Sequence, residues 1–440
     1  MLLTKLRQAD AAELVLLFTE ELPADLAEAM AALSTEELIE LMTSLEPALL
    51  APVLEEMDYA FAAELLLQLP RRRATELIGE MASDDATDLL TELPPEEREE
   101  ILEALNGQAS PIRALLGYEE DTSGGIMATE FLAVRPEWTS EKALEAVRKT
   151  AQRAETAYYV YVTDEDQRLL GVLSLRELIL AAPNALISEI MHEDPLTVRP
   201  EDDQEAVAAL FRRHHLHALP VVDEGQVMQG VITGDDIIIV VDEEATEDIE
   251  RMAALQPSDT PYLATPAPVL ARQRLLWLSI LMISATFTGK IIDRFQGVLS
   301  EVLLLAAFIP MLMDSGGNAG SQAATLVIRG LALGEIQARD WWKVIRSELK
   351  VGVLTGLGLA LINFSRVVFI SHYPLDIALV TSSTLIAAII IAKLTGGLFP
   401  LAAKALRLDP AIMAAPLITT IVDALTLLVY FTLASRWLSI

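Results

Sequence analysis

The chain has 440 residues, a formal charge of −32 and no cysteine. Disulfides and thiolate metal sites are therefore excluded, and so acidic a surface repels nucleic acid and anionic lipid while it attracts cations. Residues 271–440 hold 14 Lys and Arg against 9 Asp and Glu, a net of +5, so the first 270 residues carry −37. Two or three domains are expected, an acidic soluble part followed by an apolar one.

The N-terminus, MLLTKLRQADAAEL, turns polar too soon for a secretory signal, which predicts a cytosolic acidic part. Residues 1–106 read as short helices in series. Leu22-Pro23, Leu69-Pro70 and Leu93-Pro94 each follow an apolar run and precede an amphipathic one, the pattern of a helix stop and a new start. The expectation is a stacked α-superhelix that serves as an interaction surface. Residues 107–125, NGQASPIRALLGYEEDTSGG with its flank, read as a loop-like linker.

From Ile126 short β runs alternate with helices, twice: YYVYVTDEDQRLLGVLSLREL (158–178) and HALPVVDEGQVMQGVITGDDI (217–237). This resembles a tandem pair of CBS domains, the first over 126–183 and the second over 184–245. Gly230, Thr233 and Asp236 match the family's G-x-x-[ST]-x-x-D ribose signature; the first copy runs Gly171, Ser174, Glu177, with Glu for Asp. The resemblance implies a regulatory module, with ATP as a possible ligand at Gly230, Thr233, Asp236 and Ser174. Residues 246–270 are expected to form a connecting helix that begins acidic and ends Pro-rich.

Residues 271–440 read as a transmembrane domain of five helices, at about 275–292, 298–333, 348–370, 376–405 and 411–437. Nine Lys and Arg flank the side shared with the acidic part and four flank the other, which places the C-terminus outside a plasma (inner) membrane. Asp423 lies near the middle of the last stretch. A carboxylate at bilayer depth costs roughly 2.5–3.5 kcal/mol and by default marks an ion pathway. Thr419, Thr420, Thr426 and Tyr430 are expected to share its stripe. The run PMLMDSGGNAGSQ (310–322) predicts a kinked or broken helix whose freed carbonyls join Asn318, Gln322 and Asp314 as oxygen ligands. The alternative is a close helix crossing on small residues; Gly352-x-x-x-Gly356 reads as such a crossing.

PMLMDSGGNAGSQAATLVIRGLALGEI (310–336) followed by PLITTIVDALTLLVYF (416–431) resembles the MgtE family of magnesium channels and transporters. The resemblance covers the whole multidomain membrane protein: all-α superhelical N domain, α/β tandem CBS domains, connecting helix and five-helix α transmembrane domain. It implies a homodimer in lipid, with a pore at the protomer interface and Asp423 as the carboxylate that holds Mg²⁺. The chain departs from some members at Ala414-Ala415, near which those members carry a polar residue, so the resemblance implies one pore ligand fewer here. Mg²⁺ demands octahedral oxygen and sheds water reluctantly, which suits carboxylate, hydroxyl and carbonyl groups; Mn²⁺ and Co²⁺ share the ligand preference. The resemblance also implies a Mg²⁺ sensor, here Asp84, Asp85, Asp88, Asp223, Asp235, Asp236, Glu243, Glu244, Glu247 and Asp248, which closes the pore when filled. No HExxH, Walker A or G-x-S-x-G run occurs, so no enzyme is expected, and His214, His215 and His217 read as a surface cluster. A non-conducting membrane sensor is the competing class.

Overall fold

The computed structural model describes residues 2–151, 154–257, 262, 265–413 and 415–438. It divides into two compact units, Met1–Val241 and Asp242–Ile440.

The first unit opens with the expected series of short helices. Asp10 and Ser34 close capping boxes on the helices Ala11–Glu20 and Thr35–Ser44, and Asp58 caps Tyr59–Leu66. Pro23 and Pro95 stand in first turns, and Pro70 is an N-cap, as the Leu-Pro spacing requires. No helix here exceeds ten residues among those described, so stability comes from stacking. Leu26, Met30, Leu38, Met42, Leu50, Leu54, Leu77 and Leu89 are fully buried in one continuous core. The supposed loop at 107–125 contains a helix, Ala109–Leu115. Ile112 packs into this core and Leu115 into that of the second CBS copy, so apolar spacing overrides a turn-rich composition.

Both CBS copies build the same hairpin. β1 (Ala133–Val134) pairs parallel with β2 (Tyr159–Thr163), which pairs antiparallel with β3 (Leu169–Ser174), and β4 (His192–Glu193) completes that sheet. In the second copy β5 (Ala218–Val222) and β6 (Met228–Thr233) pair antiparallel, with Val198 bridging parallel to Val221. Each copy borrows an edge from the segment that precedes the other: β4 lies on β3, and Ala128 bridges Val231. The signature glycines serve this contact. A Cβ at Gly230 would lie 2.6 Å from the Ala128 carbonyl oxygen, and one at Gly171 would lie 2.8 Å from that of His192.

The connecting helix is Gly234–Met252, so it starts inside the second CBS copy and stops earlier than the 246–270 expected. Residues 258–261, 263 and 264 of that range, and Ala414 of the Ala414-Ala415 departure, lie outside the described residues.

Among the described residues of the second unit, four helices are long and apolar enough to cross a bilayer: Ala267–Arg294, Ala338–Ile370, Leu375–Ala405 and Pro410–Trp437, taken with their adjoining turns. The expected second span is not among them. It folds as a short helix Gln296–Glu301, a 3₁₀ turn Leu303–Phe308 and a 24-residue helix Ile309–Ala332, whose glycines and polar side chains lower its hydropathy. The helix is also unbroken through GGNAG, which corrects the expected kink. Pro310 sits in its first turn, where no donor is needed, and packing overrides the low helix propensity of glycine. The irregular backbone lies upstream, at Phe295–Phe308.

Small residues let these helices touch. Cβ atoms at Gly352 and Gly356 would come within 3.3 and 3.2 Å of the Cα atoms of Ile390 and Ile386, the close crossing expected. Gly396 is tighter, since its Cβ would stand 2.2 Å from the Gly320 carbonyl oxygen. Gly396→Ala should therefore destabilise the full chain in detergent by about 1–3 kcal/mol, more than offsetting the ~1 kcal/mol gain in helix propensity. Thermal unfolding checks this, and an unchanged or raised midpoint would contradict the contact.

Candidate cation sites

Asp423 sits near the middle of the Ala415–Trp437 helix and is half-buried. Its neighbours Ile418, Val422 and Leu427 are fully buried, and Ile418 and Val422 lie against the Ile309–Ala332 helix. The glycines of that helix form the groove that admits them: Cβ atoms at Gly316, Gly317 and Gly320 would lie 2.9 Å from Val422 Cγ1, 3.0 Å from Thr419 Cγ2 and 2.7 Å from Ile418 Cγ2. The glycine run is thus a docking surface for the Asp423 helix. Its carbonyls stay in the helix, and the Ser321 hydroxyl donates to that of Gly317 at 2.9 Å.

Asp314, Asn318 and Gln322 recur every four residues and are all exposed, forming a polar stripe along the Ile309–Ala332 helix. Asp314 is the charged group whose repulsion reaches Asp423, so the stripe and the carboxylate belong to one neighbourhood. The stripe expected on the last helix is only partly there. Thr419 and Thr420 hydroxyls both donate to the Pro416 carbonyl, at 2.9 and 3.0 Å. Thr426 is fully buried over Gly316, and Tyr430 is buried with its hydroxyl donating to the Leu305 carbonyl at 2.9 Å. Periodicity put these two on the ion's side; packing puts them on the protein's. Gln322 differs too, because its Oε1 accepts from Lys393 at 3.4 Å.

In the first unit a buried acidic cluster forms around the first turn of the helix Ser83–Thr91. Asp84 is 8% exposed, and its Oδ1 has no hydrogen-bond partner. Asp85 accepts from the Tyr59 hydroxyl at 2.5 Å. Asp236, from the second CBS copy, reaches both aspartates electrostatically, and Asp88 acts on Tyr59. Two members escaped the sequence reading, Glu55 and Glu155, because no local spacing links them to SDDATD; the fold alone brings them there. Glu55 accepts from the Ala82 N–H at 2.9 Å, and the Glu155 N–H donates to the Glu130 carbonyl at 2.8 Å. Ser83 ties the helix start to Glu130 at 2.7 Å, beside a cavity of about 400 Å³ lined by Ser83, Glu80, Glu130 and Glu155.

Burial, then mutual repulsion, drives these carboxyls up. Burial, with Asp236 and Asp85, pushes Glu155 to about 7. Burial also lifts Asp85 to about 7 against the opposing Tyr59 bond, and raises Asp84, Asp236 and Glu55. Among the described residues, no three His, Asp or Glu side chains are already arranged to hold one metal ion. The donor set is nevertheless all oxygen with one buried oxygen unpartnered, which fits a hard cation. Asp235 bonds Thr233 and acts on Glu155. Asp223 lies elsewhere: its Oδ1 accepts from the N–H groups of Gly225 and Val227 at 2.8 and 2.9 Å, so it is a turn residue. Glu243, Glu244, Glu247 and Asp248 lie along the connecting helix, in the second unit.

At the nucleotide signatures Thr233 bonds Asp236 Oδ2 through both its N–H, at 2.9 Å, and its hydroxyl, at 2.6 Å. Ser174 and Glu177 close a capping box, and His192 bonds Glu177 at 2.8 Å, helping to hold that carboxyl at about 2. Gly230 is accounted for by the Ala128 contact.

A helical and CBS-bearing unit on one chain with apolar helices of bilayer length defines a multidomain membrane protein. The chain matches the divalent cation transporter family MgtE over residues 309–433, the MgtE intracellular N domain over 22–121 and CBS domains over 123–184 and 187–243. It is 41% identical to magnesium transporter MgtE of Thermus thermophilus, over 73% of this chain and 71% of that one, and 34% identical to that of Bacillus subtilis, over 75% and 73%. Among solved structures, the cytosolic domain of the Mg²⁺ channel MgtE in complex with ATP aligns at 37% identity and a TM-score of 0.51, over 54% of this chain and 98% of that one. The chain belongs to the MgtE family.

The raised carboxyls give a test of the acidic cluster. Asp85 and Glu155 hold protons up to about 7 in the folded state and to near 4 unfolded, so their contribution is full below about 4 and lost as pH rises through 7. In EDTA the unfolding midpoint of the full chain should fall between pH 6 and 8.5. Millimolar Mg²⁺ should restore it most at the alkaline end; restoration independent of pH would contradict the cluster as the binding place.

Proposed function

We propose that this chain is a magnesium transporter in which Mg²⁺ passes Asp423 and the Asp314–Asn318–Gln322 stripe, and in which cation bound at the Asp84 cluster closes the path. The observation that carries the transport reading is a mid-helix carboxylate beside an exposed polar stripe on the helix it packs against. Such a stripe facing lipid is costly, and a second copy of the chain removes the cost by enclosing it in water. A homodimer with two Asp423 carboxylates then holds hydrated Mg²⁺ through few groups, as an ion that dehydrates reluctantly requires. Thr419 and Thr420, whose hydroxyl protons are committed to Pro416, retain oxygen lone pairs for its waters. The transported ion named for the relatives supports Mg²⁺ over Mn²⁺ and Co²⁺. The reading is non-enzymatic, with the acidic unit in the cytosol and the C-terminus outside.

The connecting helix supplies the coupling. It begins at Gly234, beside Asp235 and Asp236, and runs 19 residues, about 28 Å. At its far end Arg251 bonds both Glu247 and Asp409, and Asp409 in turn accepts from the Ala411 N–H at 2.7 Å, in the turn that leads into the Asp423 helix. Cation at the cluster removes repulsion in one conformation more than in another, and only that difference shifts the population. The cytosolic domain of a relative binds ATP, and ATP at the CBS signature of this chain would compete for the same Asp236.

Mg²⁺ flux into proteoliposomes tests the pathway. Asp423→Ala should cut the flux at least about tenfold while leaving the protein folded, consistent with a loss above 1.4 kcal/mol. Undiminished flux would refute the assignment, and no flux from the unaltered chain would favour the non-conducting sensor. Neutralising Asp84, Asp85 and Asp236 together should keep the flux but weaken its inhibition by Mg²⁺ on the sensor side about tenfold or more. An unchanged inhibition curve would rule the cluster out as sensor.

A further inference from the structure

Behind the end of the polar stripe, two further charged side chains of the second unit lie near Gln322, and the pathway above uses neither. Lys393, on the Leu375–Ala405 helix, is 5% exposed. Its ammonium donates to Gln322 Oε1 over a long 3.4 Å. Glu348, on the Trp341–Ser365 helix, lies over Gly397, where a Cβ would stand 3.1 Å from Glu348 Cγ. Glu348 Oε2 is buried with no hydrogen-bond partner, although the field of Lys393 reaches it. One ammonium thus stands near two acceptors on two helices and satisfies only the weaker.

The chemistry of the bond orients Gln322. An ammonium has three donors and no acceptor, so it takes the carbonyl side of the amide and leaves the NH₂ for the stripe. A hydrated divalent cation turns water hydrogens outward and needs acceptors. An NH₂ group on the stripe opposes it, whereas the freed oxygen welcomes it. The other seat is already built, since a buried carboxylate oxygen without a donor gains most from a charged one.

We propose that Lys393 is a positioning residue of the cation path with two seats. On Gln322 it keeps the amide oxygen off the stripe; on Glu348 it releases that oxygen toward the passing hydrated ion. Only hydrogen bonds are exchanged between the two seats. The inference rests on the transport reading and assigns Lys393 and Glu348 opposite effects within it.

The test uses the full chain in proteoliposomes, with initial Mg²⁺ flux as readout and protein that elutes as a single folded species. Lys393→Met frees the Gln322 oxygen and should raise the flux about threefold or more. Glu348→Gln weakens the second seat and should lower it about threefold or more. Adding Gln322→Leu to Lys393→Met should abolish the gain. A pair that merely props helices apart lowers the flux in both single variants, and that same-sign result overturns the inference. If Lys393→Met does not fold, Glu348→Gln and Gln322→Leu still decide the matter with Lys393 in place. The Glu348→Gln loss should vanish once residue 322 is Leu, and an additive loss overturns the proposal. Absence of Asp423-dependent flux from the unaltered chain overturns the transport reading and this inference with it; normal flux with same-sign variants overturns the inference alone.

Discussion

Carboxylates drawn out of water repel one another through a medium that screens poorly. Two unit charges 4 Å apart interact by about 4 kcal/mol at an effective dielectric of 20, several times their interaction in water. The first unit concentrates Asp84, Asp85, Asp236, Glu55 and Glu155 under that constraint, and it meets the cost by holding protons that a carboxyl in water would lose. A divalent cation can replace those protons with more charge. Residues from the helical domain and both CBS copies contribute, so whatever ion sits there reports on how those parts are packed. In the second unit Asp314 and Asp423 stand on adjoining helices, near enough for the charge of the exposed Asp314 to reach the half-buried Asp423.

What seats the Asp423 helix so closely is the absence of side chains along one face of the helix beside it. Gly316, Gly317 and Gly320 bring the backbone of one helix against Thr419, Val422 and Ile418 of the next, and Gly396 brings a third backbone onto Gly320. Among apolar helices in lipid, contact of this kind replaces the hydrophobic drive that a soluble bundle uses. The same closeness buries Thr426 and Tyr430, so part of the polar character of the last helix serves packing.

Much of this was legible from residues alone where local rules decide. Leu-Pro steps marked helix starts, and the doubled strand-turn-strand run marked two CBS copies, because turn chemistry and alternation act over a few residues. Asp423 and the Asp84–Asp85 pair were legible because charge is conspicuous in its setting. Other features depend on tertiary neighbours. Glu55 and Glu155 carry no mark until the fold brings them to Asp236. The GGNAG run could break a helix or line a groove, and only Val422 and Ile418 on the facing helix decide for the groove. Asp223 resembled the other acidic residues in composition, yet the N–H groups two and four residues downstream, in its own turn, consume it.

The exchanged edges of the CBS copies bear on how the chain is made. Ala128 must wait for Val231, more than 100 residues further along, before its backbone groups find their strand. Loop closure over such a span is slow relative to local helix formation. At ordinary synthesis rates of about 5–20 residues per second, the entry strand emerges several seconds before its partner. The helices ahead of it, built on contacts between near neighbours in sequence, can fold in that interval. The nascent chain therefore does not assemble as a pair of independent modules: the first sheet waits for β4, and the second copy takes Ala128 from ahead of the first, so a truncation between β3 and β4 would leave β3 with an uncovered edge and Ala128 without its partner.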